Sequence, residues 1–441
     1  MELEKKRVVV LGGGFAGLTF CQKFFHPDAE VVLIDRQNHH LFQPLLYQVA
    51  TAGLSAPDIA KPIRSILNNR QHVSVLMDSV EDFDLKRKRV VCEGTKLDYD
   101  YLVVGLGGVT SYFGNDDWAE FAPGLKSLDD AIRIRRDLLL AFERSEAESD
   151  PVKRERLLTM VVVGGGPTGV ELAGAFVELA KRVLKKDFKN VDLGQARIIL
   201  IEGGDRVLGH LAPELSESAR KQLERLGVEV RTHTRVSRIE EGKVRIGREV
   251  LHAGNIIWAA GVGGSPLAKR LGVETDRSGR VKVEPDCSVP GYPEVFVVGD
   301  MAHLVDANGV MVPGVSPAAI QMAEHVSGII RDDLNGIGRE HRPAFTYWDK
   351  GTMATIGRSA AVAQIGQMQL AGFMAWLAWL GVHLLFLIGF RNKIAVFLQW
   401  VYSYVTYRRG ARIIMGATPP PERRFRSIPS RKTPARKKKA S

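Results

Sequence analysis

The chain has 441 residues, of which 45% are hydrophobic and 25% charged, as in a globular protein long enough for two or three domains. Its formal net charge of +11 comes from the C-terminal end, because residues 408–441 hold 12 Lys and Arg and one acid, whereas the rest of the chain has 49 of each sign. The three cysteines, Cys21, Cys92 and Cys287, are far apart, so neither a disulfide framework nor a metal site is indicated.

The first strong pattern lies at the start of the chain. An apolar run leads into Gly12-x-Gly14-x-x-Gly17, and a second apolar run ends in Asp35. Glycines at this spacing turn a buried parallel strand tightly into a helix whose N-terminus can hold a pyrophosphate. The acid lies 18 residues past the last glycine, where it can accept a hydrogen bond from a ribose hydroxyl. The pattern therefore predicts a dinucleotide-binding unit.

Residues 38–55 are rich in aromatic and amide side chains around Pro44. This composition suits a loop that lies against a flat ring system. An ordinary packed connection is the alternative, and taken by themselves the residues favour it.

The same fingerprint repeats in the middle of the chain as Gly164-x-Gly166-x-x-Gly169, and Glu202 ends the next apolar run. Glu202 lies 33 residues past the last glycine, beyond the usual ~20, and a polar, Lys-rich insertion at residues 181–194 accounts for the difference. Both halves continue with a later apolar strand that is closed by glycines. Two separate glycine loops imply two bound dinucleotides.

A further apolar run, residues 295–298, ends in Gly299-Asp300. After two fingerprints, a carboxylate in this place is predicted to accept hydrogen bonds from the sugar-alcohol chain of a cofactor. As an isolated turn signal the pair would mean little.

Together these patterns resemble the two-dinucleotide-binding flavoprotein oxidoreductases. Residues 39–50, 350–358 and 376–392 resemble a narrower family within them, the type II NADH:quinone oxidoreductases. The resemblance covers the chain up to about Gly416 and implies an α/β fold with two Rossmann-like domains, for FAD and NADH, plus a C-terminal membrane-anchoring helical region. The expected divisions are 1–115 and 285–345 for the two parts of the FAD domain, 116–284 for the NADH domain, 346–416 for the anchoring region and 417–441 for a basic disordered tail.

The resemblance also implies where the cofactors bind. FAD would lie on the first glycine loop with Asp300 near its ribityl chain, and NADH on the second. Glu171 matches a family glutamate near the nicotinamide, although by itself it is equally a helix-start acid favoured by the helix dipole. The implied cofactor-binding residues are Gly12, Gly14, Gly17, Asp35, Gly299 and Asp300 for FAD, and Gly164, Gly166, Gly169 and Glu202 for NADH.

One departure from the family pattern concerns the quinone site. Many members have an Ala-Gln pair followed four residues later by a second Gln, whereas this chain has Pro317 in place of the first Gln and retains Gln321. Pro317 cannot make the side-chain hydrogen bond of the residue it replaces. We expect the quinone near Gln321 and residues 351–357, while a Gln321 satisfied by the backbone is the alternative that the residues alone favour.

The predicted activity is transfer of electrons from NADH through FAD to a membrane quinone, without proton pumping. Disulfide reductases need a redox-active cysteine pair, which this sequence lacks. A sulfide:quinone oxidoreductase remains an alternative in case Cys92 and Cys287 approach in space. A redox-sensing flavoprotein with little turnover, its basic tail bound to nucleic acid or acidic lipid, is a second alternative.

The C-terminal segment is predicted to attach the protein to a membrane surface. Residues 370–390 are apolar and long enough for the ~20 residues that a span needs. Trp376 and Trp379 inside that run, and a second segment at residues 394–407 with one Trp and three Tyr, instead suit the headgroup boundary. We therefore expect monotopic attachment to the cytoplasmic face of the inner membrane, with the tail attracted to anionic lipid, no nucleic-acid partner, and a homodimer left open.

Overall fold

The computed structural model describes residues 5–406 and 410–415. Its strands are β1 (Lys6–Leu11), β2 (Ala29–Asp35), β3 (His39–Leu41), β4 (Ala60–Pro62), β5 (Val73–Met77), β6 (Val80–Asp84), β7 (Arg89–Cys92), β8 (Lys96–Asp98), β9 (Tyr101–Val104), β10 (Gly108–Thr110), β11 (Thr159–Val163), β12 (Arg197–Ile201), β13 (Val228–Arg231), β14 (Arg238–Glu240), β15 (Lys243–Ile246), β16 (Glu249–His252), β17 (Asn255–Trp258), β18 (Val262–Gly264), β19 (Val281–Lys282), β20 (Ser288–Val289), β21 (Tyr292–Val297), β22 (Ala302–His303), β23 (Thr352–Thr355), β24 (Ala361–Ile365) and β25 (Met368–Gly372). The α-helices are α1 (Phe15–Lys23), α2 (Leu46–Ala50), α3 (Ala56–Ile59), α4 (Ile63–Ile66), α5 (Leu128–Ala147), α6 (Pro151–Leu158), α7 (Pro167–Glu178), α8 (Pro213–Leu226), α9 (Ser316–Leu334), α10 (Phe373–Phe386) and α11 (Phe390–Thr406).

The larger sheet has six strands in the order β20-β21-β9-β1-β2-β5, and every neighbouring pair except β20–β21 is parallel. Residues 8–11 of β1 are fully buried, as expected for a central parallel strand covered on both faces. The chain leaves β1 toward β2 on one side and later adds β9 on the other. The loops that follow β1 and β9 therefore diverge and open a crevice at the carboxyl ends of the strands.

The second sheet, in the order β13-β12-β11-β17, is parallel throughout and repeats this arrangement. Strand β11 lies between β12 and β17 as β1 lies between β2 and β9. A short antiparallel pair, β10 with β18, follows β9 and β17 at equivalent points of the two halves and joins them. The two parallel sheets with their glycine loops confirm the predicted α/β class.

The aromatic and amide stretch at residues 38–55 is not the loop that its composition suggested. It forms β3, a single 3₁₀ turn and α2, and its apolar side chains Leu45, Leu46 and Val49 are buried. Packing against the core therefore accounts for its apolar residues, as the alternative interpretation held, and leaves its polar residues for the site.

The apolar stretch at residues 370–390 is divided between several elements. It begins in β25 of an antiparallel meander, continues as α10 and breaks at Leu387–Gly389, where Gly389 has φ +96°. Within residues 5–406 and 410–415, no helix combines the length and apolar character that a membrane crossing requires.

The expectation that the tryptophans lie at a headgroup boundary was wrong for the three in these helices. Trp376, Trp379 and Trp400 are buried in the same core as α7, where the Trp379 ring packs against Trp400 and Tyr47. Tyr402 is exposed as expected. Residues 417–441, predicted to be a disordered basic tail, lie outside the described residues.

Candidate functional site

The first glycine loop connects β1 to α1, and its glycines have two different roles. Gly12 has φ +96°, and a Cβ on it would collide with the Gly105 carbonyl, while one on Gly17 would collide with the Gly12 carbonyl. These two glycines are needed for the turn itself. Gly14, at the start of α1, has nothing within 4 Å of where its Cβ would lie. The open space over Gly14 is what a pyrophosphate at the helix N-terminus requires.

Asp35 holds this loop in place from the end of β2. Its Oδ2 accepts the Gly13 N–H at 2.5 Å and its Oδ1 accepts the Gln37 N–H at 2.6 Å. Each carboxylate oxygen keeps a further lone pair for a ribose hydroxyl. The strand-terminal acid therefore both shapes the glycine loop and presents an acceptor beside it.

His40 completes the inner side of the loop. Its Nδ1–H donates to the Gly13 carbonyl at 2.9 Å, its ring is T-stacked on Phe15 at 5.0 Å, and burial lowers its pKa, so the ring is neutral. Its Nε2 is buried with no hydrogen-bond partner in the described chain. An orphaned acceptor next to an open cradle fits a bound group that carries hydroxyls or N–H donors, as FAD does. The residues present therefore fit the flavin nucleotide.

Asp300 lies at the far end of the same crevice. It follows β21 in a single 3₁₀ turn after Gly299, which has φ +71°, and its Oδ2 is 3.8 Å from the Lys126 ammonium. The carboxylate is about one-fifth exposed. It is therefore positioned to accept hydrogen bonds from a ligand that extends along the crevice from the glycine loop.

The second glycine loop repeats the first in detail. Gly164 has φ +114°, a Cβ on Gly169 would collide with the Gly164 carbonyl, and Gly166 has open space at the start of α7. Glu202 accepts the Gly165 N–H with Oε2 and the Gly204 N–H with Oε1, both at 2.6 Å. In both halves, the strand-terminal acid therefore accepts hydrogen bonds from the glycine loop and from the residue two positions after the acid. There is one such arrangement for each predicted dinucleotide.

Glu171 is the fifth residue of α7, just past the first turn, and is buried. It accepts the backbone N–H of Thr355 at 3.4 Å, and the Trp379 indole N–H is close enough to lower its pKa but does not form a full hydrogen bond. Burial outweighs both contacts and raises the pKa of Glu171 to about 8. The carboxyl is therefore protonated near neutral pH, which is a property of functional carboxyls rather than of exposed helix-start acids.

Gln321 is half-buried on α9, and its amide is already engaged. Its Nε2 donates to the Trp348 carbonyl and its Oε1 accepts the Trp348 N–H, both at 3.0 Å. Both ends of the Gln321 amide are therefore hydrogen-bonded to the backbone, as the alternative interpretation of this residue predicted. The two bonds tie the segment before β23 to α9.

Sequence reasoning missed a polar cluster under the C-terminal helices. Tyr47 and Gln48 are both buried in α2. The Gln48 Nε2 donates to the Tyr47 hydroxyl at 2.9 Å, and the Gln48 Oε1 accepts the Trp400 indole N–H at 2.8 Å. Beside them is a cavity of about 40 Å³, large enough for a water molecule. The 38–55 composition marked this stretch, but nothing in the sequence linked it to α11, some 350 residues away.

The three cysteines play no part in these surroundings. All are free and buried, and burial raises the pKa of each thiol, to about 11 for Cys92. Buried thiols with raised pKa are poor nucleophiles. The structure therefore offers no reactive cysteine for sulfide chemistry.

The fold and the two glycine loops define a two-dinucleotide oxidoreductase. Residues 6–324 match the profile of the pyridine nucleotide-disulphide oxidoreductases, and residues 349–409 match the NDH2 C-terminal domain. Two Mycobacterium tuberculosis proteins named type II NADH:quinone oxidoreductase Ndh and NdhA are 44% and 43% identical to this chain, over 92% and 93% of its length and 89% of theirs. The chain belongs to the type II NADH:quinone oxidoreductase family.

Solved structures show the same fold at lower identity. NDH2 from Plasmodium falciparum in complex with NADH has a TM-score of 0.86 at 21% identity, covering 92% of this chain and 99% of that one. A sulfide:quinone oxidoreductase from Aquifex aeolicus has a TM-score of 0.70 at 19% identity, covering 91% and 95%. The shared architecture therefore extends to enzymes of different chemistry, and the family assignment rests on the mycobacterial relatives.

Replacement of Gly14 and Gly166, the glycines with open space at the starts of α1 and α7, tests which glycine loop binds which dinucleotide. Gly14→Val should fold, because no described residue lies within 4 Å of the added Cβ, yet its side chain would fill the pyrophosphate position and lower FAD affinity at least roughly tenfold. Gly166→Val should retain FAD and lose NADH affinity to a similar extent. Flavin absorbance of the purified proteins and NADH titration measure the two effects. A fully flavinylated Gly14→Val protein would refute the FAD assignment.

The raised pKa of Glu171 predicts a pH-dependent stability. Between the unfolded value near 4.5 and about 8, the folded protein holds a proton on Glu171 that the unfolded chain has lost, so stability falls as pH rises through this window. Glu171→Gln removes this dependence. Its melting temperature relative to the wild type should therefore increase by a few degrees from pH 5.5 to pH 8, measured by thermal unfolding.

Glu217→Gln is the matched control for this measurement. Arg220 lowers the pKa of the exposed Glu217 to about 2, so its charge is constant across the window and its effect on melting should not change with pH. Parallel pH slopes for Glu171→Gln and the wild type would show that Glu171 is ionised in the folded protein.

Proposed function

We propose that the protein is an FAD-dependent NADH:quinone oxidoreductase that passes electrons from NADH to a membrane quinone without pumping protons. The observation that carries this proposal is the duplicated cradle, in which Asp35 and Glu202 each hold a glycine loop open at a helix N-terminus. The names of the mycobacterial relatives support the same reaction. Bound FAD supplies the two-electron chemistry that connects the nicotinamide to the quinone.

In this proposal, each sheet carries one nucleotide. Asp35 and Asp300 bind the ribose and the ribityl chain of FAD, and Glu202 binds the adenosine ribose of NADH. The division into an FAD domain at residues 1–115 and 285–345 and an NADH domain at 116–284 is part of the proposal. It is supported by the strands, since β1, β9 and β21 share one sheet and β11, β12 and β17 the other.

Glu171 is proposed as the proton-holding group of the site. Reduction of a quinone by NADH takes up one proton in addition to the hydride, so a proton source is needed. The carboxyl of Glu171 is buried next to Thr355 and Trp379, and its raised pKa keeps a proton on it near neutral pH.

Gln321 is proposed to act on quinone binding as a positioning residue. Its two hydrogen bonds to Trp348 hold the strand-leading segment at residues 349–351, which precedes the β23 residues beside Glu171. Pro317 sits in the first turn of α9, where a missing N–H costs nothing, so it contributes to the start of the helix rather than to ligand binding.

Membrane attachment through α10 and α11 is the second part of the proposal. These helices bury their tryptophans and turn a set of large apolar side chains outward, with Leu385 73% and Phe390 79% exposed. A patch of this kind marks an interaction surface, and the absence of a membrane-crossing helix in the described residues is compatible with an interfacial position. We assign the cytoplasmic face, because the 12 Lys and Arg of residues 408–441 favour an anionic surface. The exposed apolar residues are Phe373, Met374, Leu377, Leu385, Phe386, Phe390, Ile394, Phe397, Leu398, Val401 and Val405.

Steady-state kinetics with NADH and a soluble quinone analogue test the reaction. The full-length protein should oxidise NADH with quinone as acceptor and without a requirement for sulfide. Gln321→Ala should still show rapid flavin bleaching by NADH, with quinone turnover reduced. A protein that binds FAD but shows no quinone-dependent turnover would favour the redox-sensing alternative, and sulfide-driven quinone reduction would favour the sulfide:quinone one.

Charge introduced on the exposed helical face tests the attachment. Leu385→Glu with Phe390→Glu should sharply reduce sedimentation with phosphatidylglycerol-containing vesicles, because two carboxylates would have to enter the apolar boundary. FAD content and NADH oxidation with a soluble quinone should be unchanged.

The control for this test is Val152→Glu, which alters a side chain that is 76% exposed in α6. It should sediment with vesicles as the wild type does. If the double variant still binds vesicles but loses self-association in analytical ultracentrifugation, the face joins two copies of the chain and the membrane assignment is wrong.

A further inference from the structure

A short loop after β13 runs directly beside the acid of the second glycine loop. The Thr234 N–H donates to the Glu202 carbonyl at 2.9 Å, and the His233 N–H donates to the Gly204 carbonyl at 2.7 Å. His233 has φ +52°, a backbone conformation that non-glycine residues rarely adopt. The two bonds hold this strained turn against residues 202–204, so the side chain that follows it lies over this segment.

That side chain is Arg235. Its stem lies over Gly203, so that a Cβ built on Gly203 would be 3.4 Å from the Arg235 Cγ and 3.9 Å from its Nε. The guanidinium is exposed, and within the described residues it forms no ion pair or hydrogen bond.

The other arginines near this loop in the sequence form ion pairs or hydrogen bonds. Arg206 donates to the Gly209 carbonyl and lies 3.5 Å from Asp205, so these two side chains hold each other. Arg231 pairs with Glu229, and Arg238 pairs with Glu240 at 3.0 Å. Among these arginines of the described chain, Arg235 is therefore the one without an ion pair, and it lies over Gly203, the residue after Glu202.

We propose that Glu202 and Arg235 act in opposition on the adenosine 2′ position and together set the choice between NADH and NADPH. This inference rests on the proposed function. Glu202 accepts from a 2′-hydroxyl and repels a 2′-phosphate, whereas a guanidinium is the group that best binds a phosphate. The Arg235 guanidinium can thus bind a phosphate, while the negative charge of the Glu202 carboxylate opposes phosphate binding. NADH is the preferred donor, and a site for a 2′-phosphorylated adenosine is exposed when the Glu202 charge is removed.

Binding of small adenosine fragments to the FAD-loaded full-length protein tests this directly. The probes are 5′-AMP and 2′,5′-ADP, which differ by the 2′-phosphate, measured by isothermal titration calorimetry. Wild type should bind 5′-AMP more tightly. In Glu202→Gln, the affinity for 2′,5′-ADP relative to 5′-AMP should rise at least roughly tenfold, as expected when an opposing charge is lost beside a guanidinium.

The role of Arg235 is isolated in the Glu202→Gln background. Addition of Arg235→Ala should abolish the gain for 2′,5′-ADP and leave 5′-AMP binding within about twofold, whereas the control Arg238→Ala should preserve the gain. The ratio of kcat/KM for NADPH to that for NADH, with one quinone analogue, should follow the same order. Retention of the gain without Arg235, or no gain in Glu202→Gln, would overturn the proposal.

A second variant guards against damage to the loop, since Gln at position 202 leaves either the Gly165 or the Gly204 N–H without its acceptor. Arg235→Ala alone should weaken 2′,5′-ADP further and leave 5′-AMP unchanged. An equal loss of both probes in this variant would contradict a role at the 2′ position. Fragment binding requires no turnover, so failure of the quinone assay would count against the proposed function without affecting this test.

Discussion

The hydrogen bond from a glycine-loop N–H to the acid at the end of the neighbouring strand is the contact on which both nucleotide sites depend. Asp35 takes the Gly13 N–H and Glu202 takes the Gly165 N–H. A parallel register between the two strands brings the acid level with the loop, so the sheet positions the acceptor before any ligand arrives. The space above Gly14 and Gly166, at the two helix N-termini, is open in the described residues.

The C-terminal helices α10 and α11 share a core with α2 and α7 and contribute to the surroundings of Glu171. Trp379 and Trp400 pack onto α2 and α7, and the Trp400 indole is held by Gln48. Arg358 reinforces this contact, because its guanidinium donates to the carbonyls of Ser403 and Tyr404 in the last turn of α11. Burial raises the pKa of Glu171, and Trp379 of α10, two hundred residues further along the chain, is one of the groups beside its carboxyl.

The loop–acid hydrogen bonds and the packing of the C-terminal helices serve different functions in the protein. The sheets bind nucleotides by backbone geometry, which tolerates much variation in side chains and is shared with the sulfide:quinone oxidoreductase fold. The C-terminal helices supply a buried side that covers Glu171 and an apolar side that faces outward. Loss of their packing would therefore remove Trp379 from Glu171 and disrupt the exposed apolar face at the same time.

The sequence by itself determined the two nucleotide loops and their acids, because the glycine spacing and the strand-terminal acid are local requirements of a βαβ unit. It also indicated the importance of residues 38–55 and of the apolar C-terminal stretch. Only the tertiary structure decided that this stretch breaks at Gly389, that its tryptophans are buried, that Glu171 is desolvated and that Gln321 is bonded to Trp348. Arg235 likewise comes to lie over Gly203, the residue after Glu202, only through the loop after β13. Each of these depends on contacts between residues far apart in the chain, and local spacing carries no information about such contacts.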